Sequence, residues 1–300
     1  VIRTMGCRER SSGARGFPGE RPTCVFTAVV AQAYINLYNT MPAREVVILG
    51  SGDIGMIMAR RLTLEGAHVQ AVFEIQPYPS GLPRNIEQCL NDYGIPLYLS
   101  HTVTAIHGGK RLTGVTISRV DEHFKPIPGT EKEYSCDTLI LSVGLIPENE
   151  LSLDAGVALD GRTKGAVVDE YFQTNVPGIF AAGNVLHVHD LVDFVSMEAE
   201  NLADSAAEYI RDKSLPDCPV EIKTDRNINH TVPQRISGTR GFKLSMRVNR
   251  PMKDCRIVVR QDGVEIAAKK MKKAIPAEMI QMEIKPEKLK TSGNLEVCVE

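Results

Sequence analysis

The 300-residue chain has no tryptophan, no run of 18 or more apolar residues and no Cys-x-x-Cys pair. Without such a run, no segment reads as a helix long enough to span a bilayer. The first residues also lack the basic, apolar and small-residue order of a secretory signal. On these grounds the expected location is cytoplasmic. The cysteines are Cys7, Cys24, Cys89, Cys136, Cys218, Cys255 and Cys298. Odd in number and scattered, they read as reduced, mostly buried thiols and not as a disulfide framework. With aromatics at 5% and no tryptophan, the chain offers no stacking platform for a single strand, so no nucleic-acid partner is expected.

Net charge is close to zero over the whole chain but unevenly divided. Residues 1–218 hold 18 Lys/Arg against 27 Asp/Glu, whereas residues 219–300 hold 17 against 10. The C-terminal part is therefore compositionally separate. Its densest cluster, Lys269, Lys270, Lys272 and Lys273, reads as a solvated strand face guarding a sheet edge, with an acidic partner as the rival reading.

What the chain does have is an ordered glycine motif. Glu45 to Leu49 (Glu-Val-Val-Ile-Leu) is an apolar strand followed by Gly50-Ser51-Gly52-Asp53-Ile54-Gly55, a helical pattern, then a second apolar run ending in Glu74. Gly50 allows the tight turn, Gly52 has no Cβ to obstruct a pyrophosphate, and Gly55 lets the helix lie close to the sheet. The first amides of that helix and its dipole attract phosphate. Glu74 falls where a carboxylate accepts from adenosine ribose and repels a 2′-phosphate. The reading is a βαβ unit for NAD(H), not NADP(H), with Gly50 to Gly55 and Glu74 as cofactor-binding residues.

Around this unit, apolar spacing predicts a helix over 26–38, a short helix over 85–92 and a third parallel strand over 95–99. Period-two alternation then predicts an antiparallel meander over 102–106, 112–120 and 133–136, and the apolar run 137–143 a buried strand. Short strands are expected over 166–169 and 178–182. A long helix is expected over 191–211, with Asp190 as N-cap and Asp193 at its third helical position. Beyond Pro216 and Pro219 the pattern is β: 243–248, 256–260, 264–268, 280–284 and 295–299, with Asp262-Gly263 at a hairpin turn. That pattern suggests a small sandwich or partial barrel.

Three motifs in order resemble the pyridine nucleotide-disulfide oxidoreductase superfamily of FAD- and NAD-linked flavoproteins. They are the glycine turn with Glu74, the turn Gly144-Leu145-Ile146-Pro147-Glu148-Asn149, and Thr174-Asn175-Val176-Pro177-Gly178-Ile179-Phe180-Ala181-Ala182-Gly183-Asn184. The resemblance covers roughly residues 1–215. It implies an α/β fold with a Rossmann-like parallel-sheet NAD domain (41–140) carrying an inserted antiparallel meander. It also implies a partial FAD domain (1–40 and 141–215), followed by the sandwich-like β module (216–300).

The resemblance further implies an NADH-dependent, FAD-linked oxidoreductase acting on a small-molecule substrate or a companion redox subunit, with a homo-oligomer left open. Gly144, Gly183 and Asn184 would line the flavin side. Thr4, Met5 and Gly6 match the family's Ala-Thr-Gly turn only at the glycine. On this reading the first FAD half, with its own glycine turn, is absent from the chain: either the chain is a fragment or the FAD site was lost. Asn184 stands where the family has an aspartate that accepts from the flavin ribityl chain; an amide accepts without charge. The rival function is a non-catalytic nucleotide-binding or interaction subunit. His187-x-His189-Asp190 invites a metal reading, but spacing reveals no fourth donor. No metal is therefore expected, and these residues are read as capping the helix and bordering the flavin pocket.

Overall fold

The computed structural model describes residues 1–300. They form two compact units, Glu9–Leu145 and a second made of Val1–Arg8 with Ile146–Glu300. No helix is long and apolar enough to cross a membrane.

The first unit is built on a five-stranded parallel sheet. Its elements are β1 (Val25–Thr27), α1 (Ala28–Asn36), β2 (Glu45–Leu49), α2 (Asp53–Leu64), β3 (His68–Glu74), α3 (Pro83–Cys89) and β4 (Leu97–Leu99). The meander β5 (His101–His107), β6 (Gly114–Arg119) and β7 (Lys132–Ser135) follows, and β8 (Thr138–Leu141) returns to the sheet. The strand order is β1-β8-β2-β3-β4. Val46 to Leu49 and the whole of β8 are buried, which explains their continuous apolar runs. On one face Met56, Met58, Ala59 and Leu62 of α2 pack with Ile48, Val72 and Ile140. On the other, Val103, Val115 and Ile117 of the meander pack with Val47, Phe73 and Leu139.

The start of this unit departs from the expected helix over 26–38. Val25–Thr27 is extended and pairs with β8 through Val25 opposite Leu139, so the helix begins only at Ala28. Strand pairing along an open sheet edge outweighs helical spacing here, and Val and Thr favour it. The expected boundary near residue 40 accordingly lies within one unit, because β1 and α1 belong to the same sheet and core as β2.

In the second unit Ile2–Arg3 pairs in parallel with Phe180–Ala181. The expected strand over 166–169 is present only as single bridges, Ala166 with Leu159 and Val168 with Thr174. The long helix α4 (Val192–Asp212) buries Glu198, Leu202, Ser205 and Ala206.

Beyond it lie β9 (Val220–Thr224), β10 (Ile228–Val232), β11 (Arg235–Ile236), β12 (Phe242–Val248), β13 (Met252–Gln261), β14 (Val264–Ala274), β15 (Ile280–Ile284) and β16 (Leu295–Val299). They form two sheets, β11-β9-β16-β13-β14 and β10-β12-β15. Leu244, Met246, Ile257, Val259, Leu295 and Val297 fill the core they share. Asp262 and Gly263 both have positive φ, 49° and 80°, as a two-residue hairpin turn of the primed kind requires. The four lysines lie exposed on β14, at the end of its sheet, where they deter edge pairing. The module is not independent of what precedes it: Gln234 Oε1 accepts the Val168 amide and Ser237 Oγ donates to Glu170 at 2.5 Å.

Candidate nucleotide-binding site

In the first unit the strand order places β8 on one side of β2 and β3 on the other, so the chain reverses direction across the sheet between β2 and β8. Ligands of open α/β sheets bind outside the strand carboxyl ends at such a point. The loops that meet there are Gly50–Gly55 after β2 and Ser142–Gly144 after β8.

The three glycines of the first loop have different causes. Gly50 has φ 99°, and a Cβ there would lie 2.0 Å from the Ser142 carbonyl oxygen. At Gly55 a Cβ would meet the Gly50 oxygen and the Ser142 Cβ, each at 2.7 Å. Both are demanded by the close approach of β2, α2 and β8. Gly52 is different. A Cβ there would touch only the flexible Ser142 hydroxyl, at 3.3 Å, and otherwise the backbone stands clear. Gly52 is the N-cap of α2 and makes no side-chain cap bond, so the free amides of the first turn are offered to an outside acceptor. One of them is already used, since Gly55 donates to Ser142 Oγ at 3.1 Å. This fits a dinucleotide whose pyrophosphate lies on the first turn of α2.

Glu74 ends β3, buried, with its carboxylate turned to the glycine loop. Its Oε2 accepts from Ser51 N at 3.0 Å, Ser51 Oγ at 2.6 Å and Ser80 Oγ at 2.7 Å, while Oε1 accepts from Gln76 N at 2.9 Å. A carboxylate has about four acceptor sites, so a ribose would share or displace a serine donor. Asp53 is engaged as well: its Oδ1 accepts from Leu82 N at 2.8 Å and Asn85 Nδ2 at 2.6 Å. Loop 76–82 is thereby tied to the glycine turn. Ile54, beside these residues, is exposed.

Gly144 is exposed with φ 101° and nothing within 4 Å of a would-be Cβ. Its carbonyl accepts from Arg10 N at 3.0 Å, and Arg15 reaches the Val143 carbonyl at 3.4 Å. Burial lowers the Arg15 pKa, the nearby Arg10 guanidinium lowers it further, and Glu74 acts in the opposite sense. Arg10 Nε is buried without a protein acceptor. Two guanidiniums therefore approach the switch point with no carboxylate in salt-bridge range, which favours an anionic ligand. Neither arginine stands out in sequence, because Arg10 falls in a turn and Arg15 in a Gly- and Pro-containing stretch over 11–24.

Gly183 and Asn184 lie in the second unit. Gly183 has φ 76°, and its amide donates to Glu198 Oε1 at 2.7 Å. Asn184 Oδ1, the atom that stands for the family aspartate, accepts the His189 amide at 3.0 Å. One of its two lone pairs is thus used by this chain's own backbone. The 300 residues also hold a single strand-glycine-helix turn, the one at Gly50. The residues present do not by themselves complete an FAD site.

Asp190 does not cap α4. The N-cap is Leu191, without a side-chain cap bond, and the Asp190 carboxylate instead takes a buried ion pair with Arg247 of β12 and the Met279 amide, at 2.6 Å. Arg247 also donates to the Val188 and Pro276 carbonyls, each at 2.9 Å. Pairing with a guanidinium 57 positions away exceeds what a cap bond offers. Beside this pair His187 and His189 converge on Glu198 of α4, with Nε2 atoms 2.6 and 3.3 Å from its Oε2. The spacing of His187-x-His189 did not disclose this third donor.

Comparison with known proteins agrees with this geometry. A profile of the pyridine nucleotide-disulphide oxidoreductase family matches residues 1–207. The glutamate synthase [NADPH] small chain of Mycobacterium tuberculosis is 27% identical over 205 residues, 61% of this chain and 41% of that protein. The nitric oxide reductase FlRd-NAD(+) reductase of Salmonella gallinarum is 27% identical over 191 residues, 61% of this chain and 47% of that protein. This chain thus spans less than half the length of either relative. Among solved structures, T. acidophilum thioredoxin reductase superposes with a TM-score of 0.57 at 26% identity, covering 70% of this chain and 66% of its own. The chain is a member of the pyridine nucleotide-disulphide oxidoreductase family.

Proposed function

We propose that this chain binds NAD(H) at the Gly50–Gly55 turn and is the pyridine-nucleotide-binding part of a flavin-linked oxidoreductase. The observation that carries the reading is Gly52. It is the glycine of the turn that neighbouring packing explains least, and it sits at the first turn of α2 beside the β2/β8 switch point. A pyrophosphate there would take the amides of α2 and the field of Arg10 and Arg15. Glu74 would hold the adenosine ribose and disfavour a 2′-phosphate. A bound nicotinamide supplies hydride, and family members pass it to flavin. This chain's own residues bind the cofactor, orient it and exclude NADPH.

One observation favours a second reading, a nucleotide-binding subunit without catalysis: Asn184 carries no charge, and one of its two Oδ1 lone pairs already accepts the His189 amide. Calorimetric titration of the chain with NADH and, separately, with FAD distinguishes the two. Saturable NADH binding that disappears in Gly52→Val supports the nucleotide site, and added FAD uptake supports the catalytic reading. No NADH binding by a folded chain contradicts both.

A further inference from the structure

We propose that His187, His189 and Glu198 form a binding site for a divalent first-row transition metal, of which Zn²⁺ is the representative. Their donor atoms all lie within 4.8 Å of one another. The site is buried: the side chains of His187, His189 and Glu198 are 0%, 2% and 8% exposed. Two imidazoles and one carboxylate are a donor set that zinc uses with a fourth position left for water, and imidazole also suits copper, iron and nickel.

The second observation is the state of the ring nitrogens. His187 Nδ1 and both nitrogens of His189 make no hydrogen bond to protein, and neither do those of His230, whose ring centroid is 6.2 Å from that of His187. A buried polar atom left unpaired costs about 1–3 kcal/mol, and His189 Nε2 is the unpaired nitrogen that faces Glu198 Oε2, at 3.3 Å. A cation between the two would take its lone pair. His230 on β10 packs edge-on against His187. It also lines a cleft of about 330 Å³.

Of the donor separations, one already suits a tetrahedral ion and one must widen. Donor atoms about 2.0–2.2 Å from a tetrahedral zinc are roughly 3.3 Å apart. The His189 to Glu198 separation is 3.3 Å, whereas the 2.6 Å hydrogen bond from His187 must open. Glu198 is fixed for the purpose, because its other oxygen accepts the Gly183 amide. Arg247 is the one nearby guanidinium, and its charge is balanced by Asp190.

The test uses the full chain, purified without chelator. Elemental analysis reads the metal that accompanies it, and titration of the stripped protein with Co²⁺ reads coordination through the visible bands of four-coordinate cobalt, followed by displacement with Zn²⁺. About one metal per chain, with affinity for Zn²⁺ weakened at least tenfold in both His189→Ala and Glu198→Gln, is the expected result. His123→Ala, at an exposed histidine, should bind as the parent does. If the core variants fail to fold, ring-nitrogen NMR of the parent decides, because Zn²⁺ must shift two buried imidazoles. A folded parent that takes up neither metal overturns the proposal, as does uptake that both variants leave unchanged.

Discussion

The Glu74 carboxylate accepts both the amide and the hydroxyl of Ser51, at 3.0 and 2.6 Å. The last residue of β3 is thereby bonded to the middle of the glycine turn, and the acid that would select the ribose also holds the turn in shape. Hydrogen bonds to charged groups are worth about 1.5–3 kcal/mol each. Ser51→Ala removes one donor and leaves the amide and Ser80. The expected loss of unfolding free energy in urea is about 1–2 kcal/mol; a loss below the error of the measurement would show the contact to be incidental.

The glycines of the turn separate folding from binding. Gly55→Ala drives a Cβ to 2.7 Å from the Gly50 oxygen, and overpacking of this kind costs about 1–3 kcal/mol. Gly52→Ala presses at 3.3 Å on the Ser142 hydroxyl, a side-chain atom that can give by a few tenths of an ångström while still accepting the Gly55 amide. Thermal unfolding should therefore drop clearly for Gly55→Ala and little for Gly52→Ala, while NADH affinity falls in both. If Gly52→Ala keeps full NADH affinity, the pyrophosphate lies elsewhere.

Arg15 has no carboxylate partner and stands next to Arg10. Arg15→Ala should weaken NADH by about tenfold, the weight of one charge-assisted contact. The slope of affinity against salt should become shallower, as read by fluorescence titration at several ionic strengths. An unchanged salt slope would place Arg15 outside the ligand's field.

Asp169 gives the clearest pH signature. Burial raises its pKa from 3.8 to about 6, against the opposing bonds from the Tyr171 and Gln173 amides and the Arg235 charge. A carboxyl raised in the folded state binds more protons folded than unfolded between these values, so its contribution is lost as pH rises through about 6. Asp169→Asn keeps an acceptor for both amides but does not titrate. The stability difference, variant minus parent, should rise by up to about 3 kcal/mol between pH 4 and pH 7. A difference that is flat with pH would refute the buried-acid account.

The buried pair of Asp190 and Arg247 has side chains 6% and 13% exposed. Removing one partner strands the other charge, at a cost of about 3–5 kcal/mol. Arg247→Met should be strongly destabilised in urea, and the double variant Asp190→Asn with Arg247→Met should recover part of the loss. Equal stability of single and double variants would show no coupling.

How much of this was legible follows from where each signal lies. The βαβ unit stands where sequence placed it, because period, glycine spacing and the final acid are all local. Asp190 as a helix cap was wrong, since an arginine 57 residues later outcompetes a local amide. The meeting of Glu198 with His187 and His189 was invisible, because helix packing decides which face of α4 turns inward. Ser80, Leu82 and Asn85 on the glycine turn likewise depend on a loop path that Pro and Gly permit but do not dictate.

The central claim is that the carboxylate at the end of β3 reads the cofactor's ribose. It is tested most directly by titrating the chain with NADH and with NADPH, and repeating both with Glu74→Gln. NADH should bind saturably and at least tenfold more tightly than NADPH, a difference of about 1.4 kcal/mol, and Glu74→Gln should close most of that gap. Equal affinity of the parent chain for the two nucleotides, or binding of neither, would contradict the account.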